Sequence, residues 1–281
     1  MKTWLGCMLA LSLASAGQAQ QPPARTALRV CQDPNNMPFS NQAAEGIENR
    51  IAQLFGKALG LPVSYYSFPQ RMGFVRNTLR YKLPDQDYPC DIIMGVPVGF
   101  DQVAQTRPYY RSTYTLVLAR RKGLEDVQSS ADFLALPAAR REALRIGVYD
   151  RSPGSEWLLA HGLLAQGVPY NMLSPNPEQY PGEIIEKDLV QGKLDAAIVW
   201  GPIGGYFSKR AGEGQLRSIA LPSEPGVRFD YAMAMGVRYG EREWKAQIDQ
   251  LIVAKQDEIR RILQEFNVPL LDEAGTKAAE R

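Results

Sequence analysis

Short apolar runs alternate with stretches of helical spacing along most of this chain. Residues 28–31 read as a strand that ends in the turn cluster Asp33-Pro34-Asn35-Asn36, with Pro38 close behind. Ile47, Ile51, Leu54, Phe55, Ala58 and Leu59 then recur at helical spacing, and Gly60 stops that helix. A strand over 61–68, a short helix over 74–81, a polar loop over 82–89 and a continuous apolar strand over 91–96 follow. Alternation of this kind argues for a parallel α/β sheet with right-handed crossovers. A strand over 112–118 leads out of this unit.

A second unit begins after the polar stretch 120–130. It is partly helical over 131–144, interrupted by Pro137. A strand over 145–149 and a helix over 155–164 come next. Residues 169–182 carry four prolines and read as a loop. A helix over 183–191 ends at Gly192, and 194–200 is a very apolar strand. The Gly-rich Gly201-Pro202-Ile203-Gly204-Gly205 that follows lacks the spacing of a phosphate-binding loop and reads as a turn at a cleft edge. After a strand over 232–237, Trp244, Ile248, Leu251, Ile252, Ile259, Ile262, Leu263 and Phe266 repeat at helical spacing. The second unit looks complete without them, so they are assigned to the first. The expectation is an α/β fold of two lobes, each a central sheet flanked by helices, with two interlobe crossovers. The first lobe takes 27–118 plus 231–281, the second 119–230, and the cleft between them is the default ligand site.

The N-terminus has a different character. Lys2 is followed by an apolar run from Leu5 to Ala16, with Gly17 and Ala19 as small residues before a cleavage point. Residues 1–19 therefore read as a secretory signal peptide, too short for a permanent membrane span. A lipoprotein signal at Cys7 is rejected, because that cysteine precedes most of the apolar core. Export leaves Cys31 and Cys90, an even pair in an oxidising compartment, on strands expected to be neighbours. A disulfide is expected, with two buried thiols as the alternative.

Of the 281 residues 45% are hydrophobic and 22% charged, an ordinary globular balance. A net charge of +2 is too weak for nucleic acid. A single histidine, His161, argues against a Ser-His-Asp or His-rich metal site. No catalytic residue and no metal site are assigned. Ligands of open α/β sheets sit beyond the carboxyl ends of the strands. That rule nominates Asp33, Asn35, Phe39, Gln70, Arg71, Phe74 and Pro97 from the first lobe, and Asp150, Arg151, Ser152 and Trp200 from the second, with Arg111 as a further cleft cation. Tyr109, Tyr110, Arg111 and Tyr114 are either a contact patch or core.

Several strings, DPNNMPFSN, FPQRMGFVRNTL, TRPYYRSTY and AAIVWGPIGGYF, resemble one branch of the solute-binding proteins related to amino-acid receptors. That branch is the quinoprotein-dehydrogenase-associated family, which includes the J-type accessory protein of methanol-oxidation clusters. The resemblance covers nearly the whole mature chain. It implies a periplasmic, monomeric, non-enzymatic protein that works beside an alcohol dehydrogenase using pyrroloquinoline quinone (PQQ), and beside its cytochrome c. No cofactor is expected to be held firmly by this chain; PQQ would enter through the partner. Amino-acid receptors hold the ligand carboxylate with an Arg seven residues before the Ser or Thr of an S-x-P-Y segment. Here that Thr is Thr106, and the Arg position falls on Gly99. They hold the amine with an Asp that would fall on Trp200. Both charged anchors are missing, so free amino acids are poor candidates. The alternatives are a transport receptor for a small organic solute and an enzyme on the same fold.

Overall fold

The computed structural model describes residues 25–70, 73–172, 176, 178–272 and 275. The expected signal peptide and Arg71 lie outside the described residues.

The chain opens with strand β1 (Leu28–Gln32), followed by two short strands, β2 (Asn35–Asn36) and β3 (Ser40–Asn41), that pair with each other. Helix α1 (Ile47–Leu59) buries Ile47, Ile51, Ala52 and Phe55 along one face. It stops at Gly60, whose left-handed backbone (φ 68°) lets the amide of Leu61 turn back onto the carbonyl of Gly56 at 2.9 Å. Strand β4 (Val63–Ser67), the single turn α2 (Phe74–Asn77), β5 (Ile92–Pro97), β6 (Ala104–Gln105) and the ten-residue β7 (Tyr110–Ala119) follow. Next come α3 (Ser130–Leu134) and α4 (Ala138–Glu142), separated at Pro137 as expected. Then come β8 (Ile146–Tyr149), α5 (Pro153–Ala160), β9 (Gly167–Tyr170), a π-helical stretch Ile184–Leu189, and β10 (Ala196–Trp200). Helix α6 (Gly201–Arg210), β11 (Leu216–Ala220), β12 (Asp230–Val237), α7 (Arg242–Ala254) and α8 (Gln256–Glu265) complete the order.

Two sheets share one strand. In the first, β4, β1 and β5 run parallel, and β12 is antiparallel to β5 and to residues 110–113 of β7. In the second, residues 114–119 of β7 pair antiparallel with both β10 and β11, and β10, β8 and β9 run parallel. The change of sheet thus falls inside β7, between Thr113 and Tyr114, and the chain returns where Phe229 gives way to Asp230. Each sheet has its own core. Leu28, Val30, Ile51, Phe55 and Met235 cluster with Trp244, Ile248, Ile252, Ile259 and Phe266, so the C-terminal helices cover the first sheet. Leu116, Ile146, Trp157, Ile198 and Phe229 form a separate cluster on the second.

Three readings change. Residues 201–205 are not a turn but the first half of α6, with Pro202 in its first turn, where proline costs nothing. The glycines are there for clearance. A Cβ on Gly201 would lie 2.1 Å from the Thr113 carbonyl oxygen, and one on Gly205 would lie 1.9 Å from that of Asn267. Part of the proline-rich 169–182 segment is β9, an edge strand paired only with β8, where Pro169 need not donate to a ladder. The helix expected over 74–81 keeps a single turn.

Cys31 and Cys90 form a disulfide, with Cα atoms 5.2 Å apart. Below it, Asp91 is buried and accepts from Arg29 Nε at 2.7 Å and Arg238 Nη2 at 2.6 Å, with Arg25 at 2.9 Å. Arg238 also donates to the carbonyls of Leu79 and Cys90, so one cation ties α2's exit to β5 and the end of β12.

Candidate functional site: the interlobe floor and the Glu48 recess

The floor of the cleft lies where the two sheets meet. Trp200 ends β10 and projects into a group of rings: Tyr114 at 5.5 Å between centroids, and Tyr231 at 5.9 Å. Phe229 lies 5.8 Å from Tyr114, which closes the cluster. Tyr110, one strand turn away, is fully buried. Burial first, then the Glu48 charge, push its hydroxyl far above the ordinary phenol value, while the neighbouring Trp200 works the other way. Tyr109 is buried as well, and its hydroxyl donates to the carbonyl of Met94 at 2.8 Å. These two tyrosines are therefore core and cleft floor, not an outward contact patch.

Above the carboxyl end of β5 sits Glu48, in the first turn of α1. Its amide donates to the carbonyl of Phe39 at 2.8 Å, which fixes the start of the helix against the β2–β3 hairpin. Its carboxylate rests against Gly95: a Cβ there would lie 2.4 Å from Glu48 Oε1, so only glycine leaves room. Asn49 braces the same turn, accepting from the amides of Asn41 and Gly46 and donating to Gln32 Oε1 at 2.7 Å. Burial, and secondly the charge of Asp33, push Glu48 up to about 7. Asp33 itself accepts from the backbone amides of Asn35 at 2.8 Å and Gln70 at 2.6 Å. A carboxyl at the mouth of a parallel sheet, displaced this far by its surroundings, marks a functional position.

Of the residues nominated from sequence, Asp33, Asn35, Phe39, Gln70 and Trp200 converge on this region. Asn35 Nδ2 reaches across to the carbonyl of Glu178 at 3.3 Å, and Phe39 packs against the second-sheet cluster that holds Ile203 and Phe207. Gln70 accepts from Asn36 Nδ2 at 2.7 Å. Phe74 packs instead on the cluster around the disulfide, and Pro97 is exposed at the end of β5. Arg111 forms an ion pair with Asp230. Asp150 and Arg151 are exposed, and Ser152 is buried at the N-cap of α5 with its Oγ unpartnered. Glu48, Tyr114 and Tyr231 were not nominated as cleft residues. An acid in the first helical turn is ordinary dipole complementation, so its sequence position carried no special signal.

The two receptor anchor positions look as the sequence suggested. Gly99 is exposed with φ +95°, and Trp200 is embedded among aromatic rings. His161 is engaged by Glu224 at 2.7 Å and lies against Trp157. Among the described residues no group of three or more His, Cys, Asp or Glu is placed to hold a metal ion. No helix among them is long and apolar enough to cross a membrane.

Two α/β sheets sharing a crossing strand, with a cleft at their carboxyl ends, are the architecture of a periplasmic binding protein. No family model matches the chain. The crystallised periplasmic binding protein XoxJ from Methylobacterium extorquens AM1 is 33% identical, with a TM-score of 0.69 over 88% of this chain and 100% of that one. MxaJ from Methlophaga aminisulfidivorans MPT superposes with the same TM-score at 23% identity, covering 87% of this chain and 100% of that one. The protein MoxJ of Methylorubrum extorquens is 28% identical across 91% of this chain and 85% of its own length. The chain belongs to the MoxJ-type family of periplasmic binding proteins.

Proposed function

We propose that this protein is a periplasmic accessory factor of a PQQ-dependent alcohol dehydrogenase of the methanol type, and that it acts by contact, aiding activation, assembly or cofactor supply. The observation that carries the reading is the state of the receptor anchors. Gly99 and Trp200 stand where an amino-acid receptor needs its Arg and Asp, and the nearby Arg111 is occupied by Asp230. A zwitterion entering this cleft would lose hydration at both charged ends, a cost of several kcal/mol, and regain neither pairing. Kinship with XoxJ and MoxJ supplies the setting.

In this reading residues 1–19 direct export, 27–118 plus 231–281 and 119–230 act as two lobes, and the chain binds without catalysing. It holds no PQQ of its own; the cofactor belongs to the dehydrogenase, with the cytochrome c as a neighbour in the same system. Sedimentation of the mature protein with the purified dehydrogenase from the same organism tests this directly. A defined complex is expected. Dehydrogenase that sediments alone, together with micromolar binding of an amino acid to this protein, would restore the transport-receptor reading.

A further inference from the structure

The Glu48 recess has a chemistry that accessory contact does not use. Every polar group that the described residues turn toward it is acidic or an oxygen acceptor. Glu48 has no hydrogen-bond or ion-pair partner for its carboxylate among the described residues. The titratable groups that face it are Asp33 from the loop after β1, and Tyr109 and Tyr110 from β7. Asp33 is held by two backbone amides, which favour its charged form. The Tyr109 hydroxyl proton is spent on the Met94 carbonyl. No base balances this charge among the described residues, and the nearest cation on the floor, Arg111, is committed to Asp230.

The walls are aromatic. Tyr110 lies between Glu48 and Trp200, and Phe39 and Trp200 pack on the same second-sheet cluster. Trp200 presents an indole backed by Tyr114 and Tyr231. A recessed carboxyl with aromatic faces around it is complementary to one kind of small occupant. An organic ammonium supplies the missing positive charge to the carboxyl and meets ring faces with its substituents. A hydrated metal ion would meet too few oxygen ligands here. An amino acid would bring a carboxylate with no partner.

We propose that the interlobe recess of this protein binds a small organic monocation, an aryl- or alkylammonium without a carboxylate, anchored by Glu48 and enclosed by Tyr110, Trp200 and Phe39. Binding draws Glu48 into its charged form, so it releases a proton wherever the free protein holds one. Asp33 stays ionised and adds to the field. The inference does not depend on contact with a dehydrogenase, and either can fail without the other.

The test is titration calorimetry of the mature protein with benzylammonium and with tetramethylammonium. Benzyl alcohol, phenylacetate and calcium chloride serve as neutral, anionic and metal controls. Saturable binding of at least one ammonium is expected, none of the controls should bind comparably, and affinity should rise at least about tenfold between about pH 5 and pH 8 as Glu48 ionises. Glu48→Gln should weaken binding at pH 8 at least about tenfold and flatten the pH dependence. Thermal unfolding of E48Q checks that the variant is folded, and Trp200→Leu gives a second variant that should weaken binding without flattening the pH profile. Failure of both ammonium ions to bind, comparable binding of any control, or affinity that tightens as pH falls would overturn the proposal.

Discussion

Arg111 on β7 is ion-paired with Asp230 on β12, so the cation best placed to receive a ligand carboxylate is already neutralised by the fold. Hydrogen bonds from Ser223 and Arg111 hold the Asp230 carboxyl below its ordinary range despite the opposing pull of burial, which keeps the pair charged. With Gly99 and Trp200 at the other anchor positions, calorimetry against a panel of free amino acids should show no micromolar binder. A single amino acid bound at that strength would refute the reading of the cleft.

Asp91 is the acid on which the first lobe's edge depends. Burial alone would raise it, but hydrogen bonds from Arg29 and Arg238, with the charge of Arg25, hold it below the usual carboxylate range. The sign follows. A carboxyl depressed in the folded state contributes stability that is present above its unfolded value near 3.9 and lost as pH falls through the folded value. Asp91→Asn should leave Arg238 buried without its countercharge and cost about 3–5 kcal/mol in denaturant unfolding at neutral pH. The gap to wild type should close as the pH is taken below about 4. A gap that stays constant with pH would show that the ion pairs are not its source.

Gly205 has no room for a side chain. A Cβ would stand 1.9 Å from the Asn267 carbonyl oxygen, and Asn267 Nδ2 already donates to the Gly205 carbonyl at 3.0 Å. Gly205→Ala should force α6 away from the segment after α8 and lower stability by about 1–3 kcal/mol, the usual cost of overpacking. Gly240→Ala, where nothing lies within 4 Å but φ is +92°, separates steric crowding from backbone strain. Equal losses in the two variants would contradict the close-approach explanation.

What the sequence disclosed and what it hid follow from local physics. The α1 helix was legible because its apolar positions recur at 3.6-residue spacing and Gly60 punctuates it. The disulfide was legible because export leaves two cysteines on adjacent strands. The helix α6 was hidden because Gly201, Pro202, Gly204 and Gly205 are poor helix formers, and they are chosen for clearance against Thr113, Thr115 and Asn267. The edge strand β9 was masked by Pro169, and β11, five residues paired to β7 alone, carried too short a pattern to stand out. In the site, Trp200 was placed by its position at the end of an apolar strand. Glu48 was missed because its importance comes from what surrounds it, Gly95 beneath and Asp33 beside, and those neighbours are remote in sequence.

The Cys31–Cys90 bond closes a sequence separation of 59 residues and joins β1 to the entry of β5. A loop of that size should contribute about 4 kcal/mol through the unfolded chain. The double variant Cys31→Ser, Cys90→Ser should lose on the order of 2–5 kcal/mol in equilibrium unfolding. Stability unchanged by reduction would mean that the strands hold their register without the bond.

The accessory role itself comes down to one association. Mature protein mixed with the purified PQQ-dependent alcohol dehydrogenase of the same organism, and followed by sedimentation velocity, should give a faster boundary of fixed stoichiometry at micromolar concentrations. That boundary should survive Glu48→Gln, because the recess and the contact are separate. Two boundaries at the positions of the free proteins, across the whole concentration range, would contradict it.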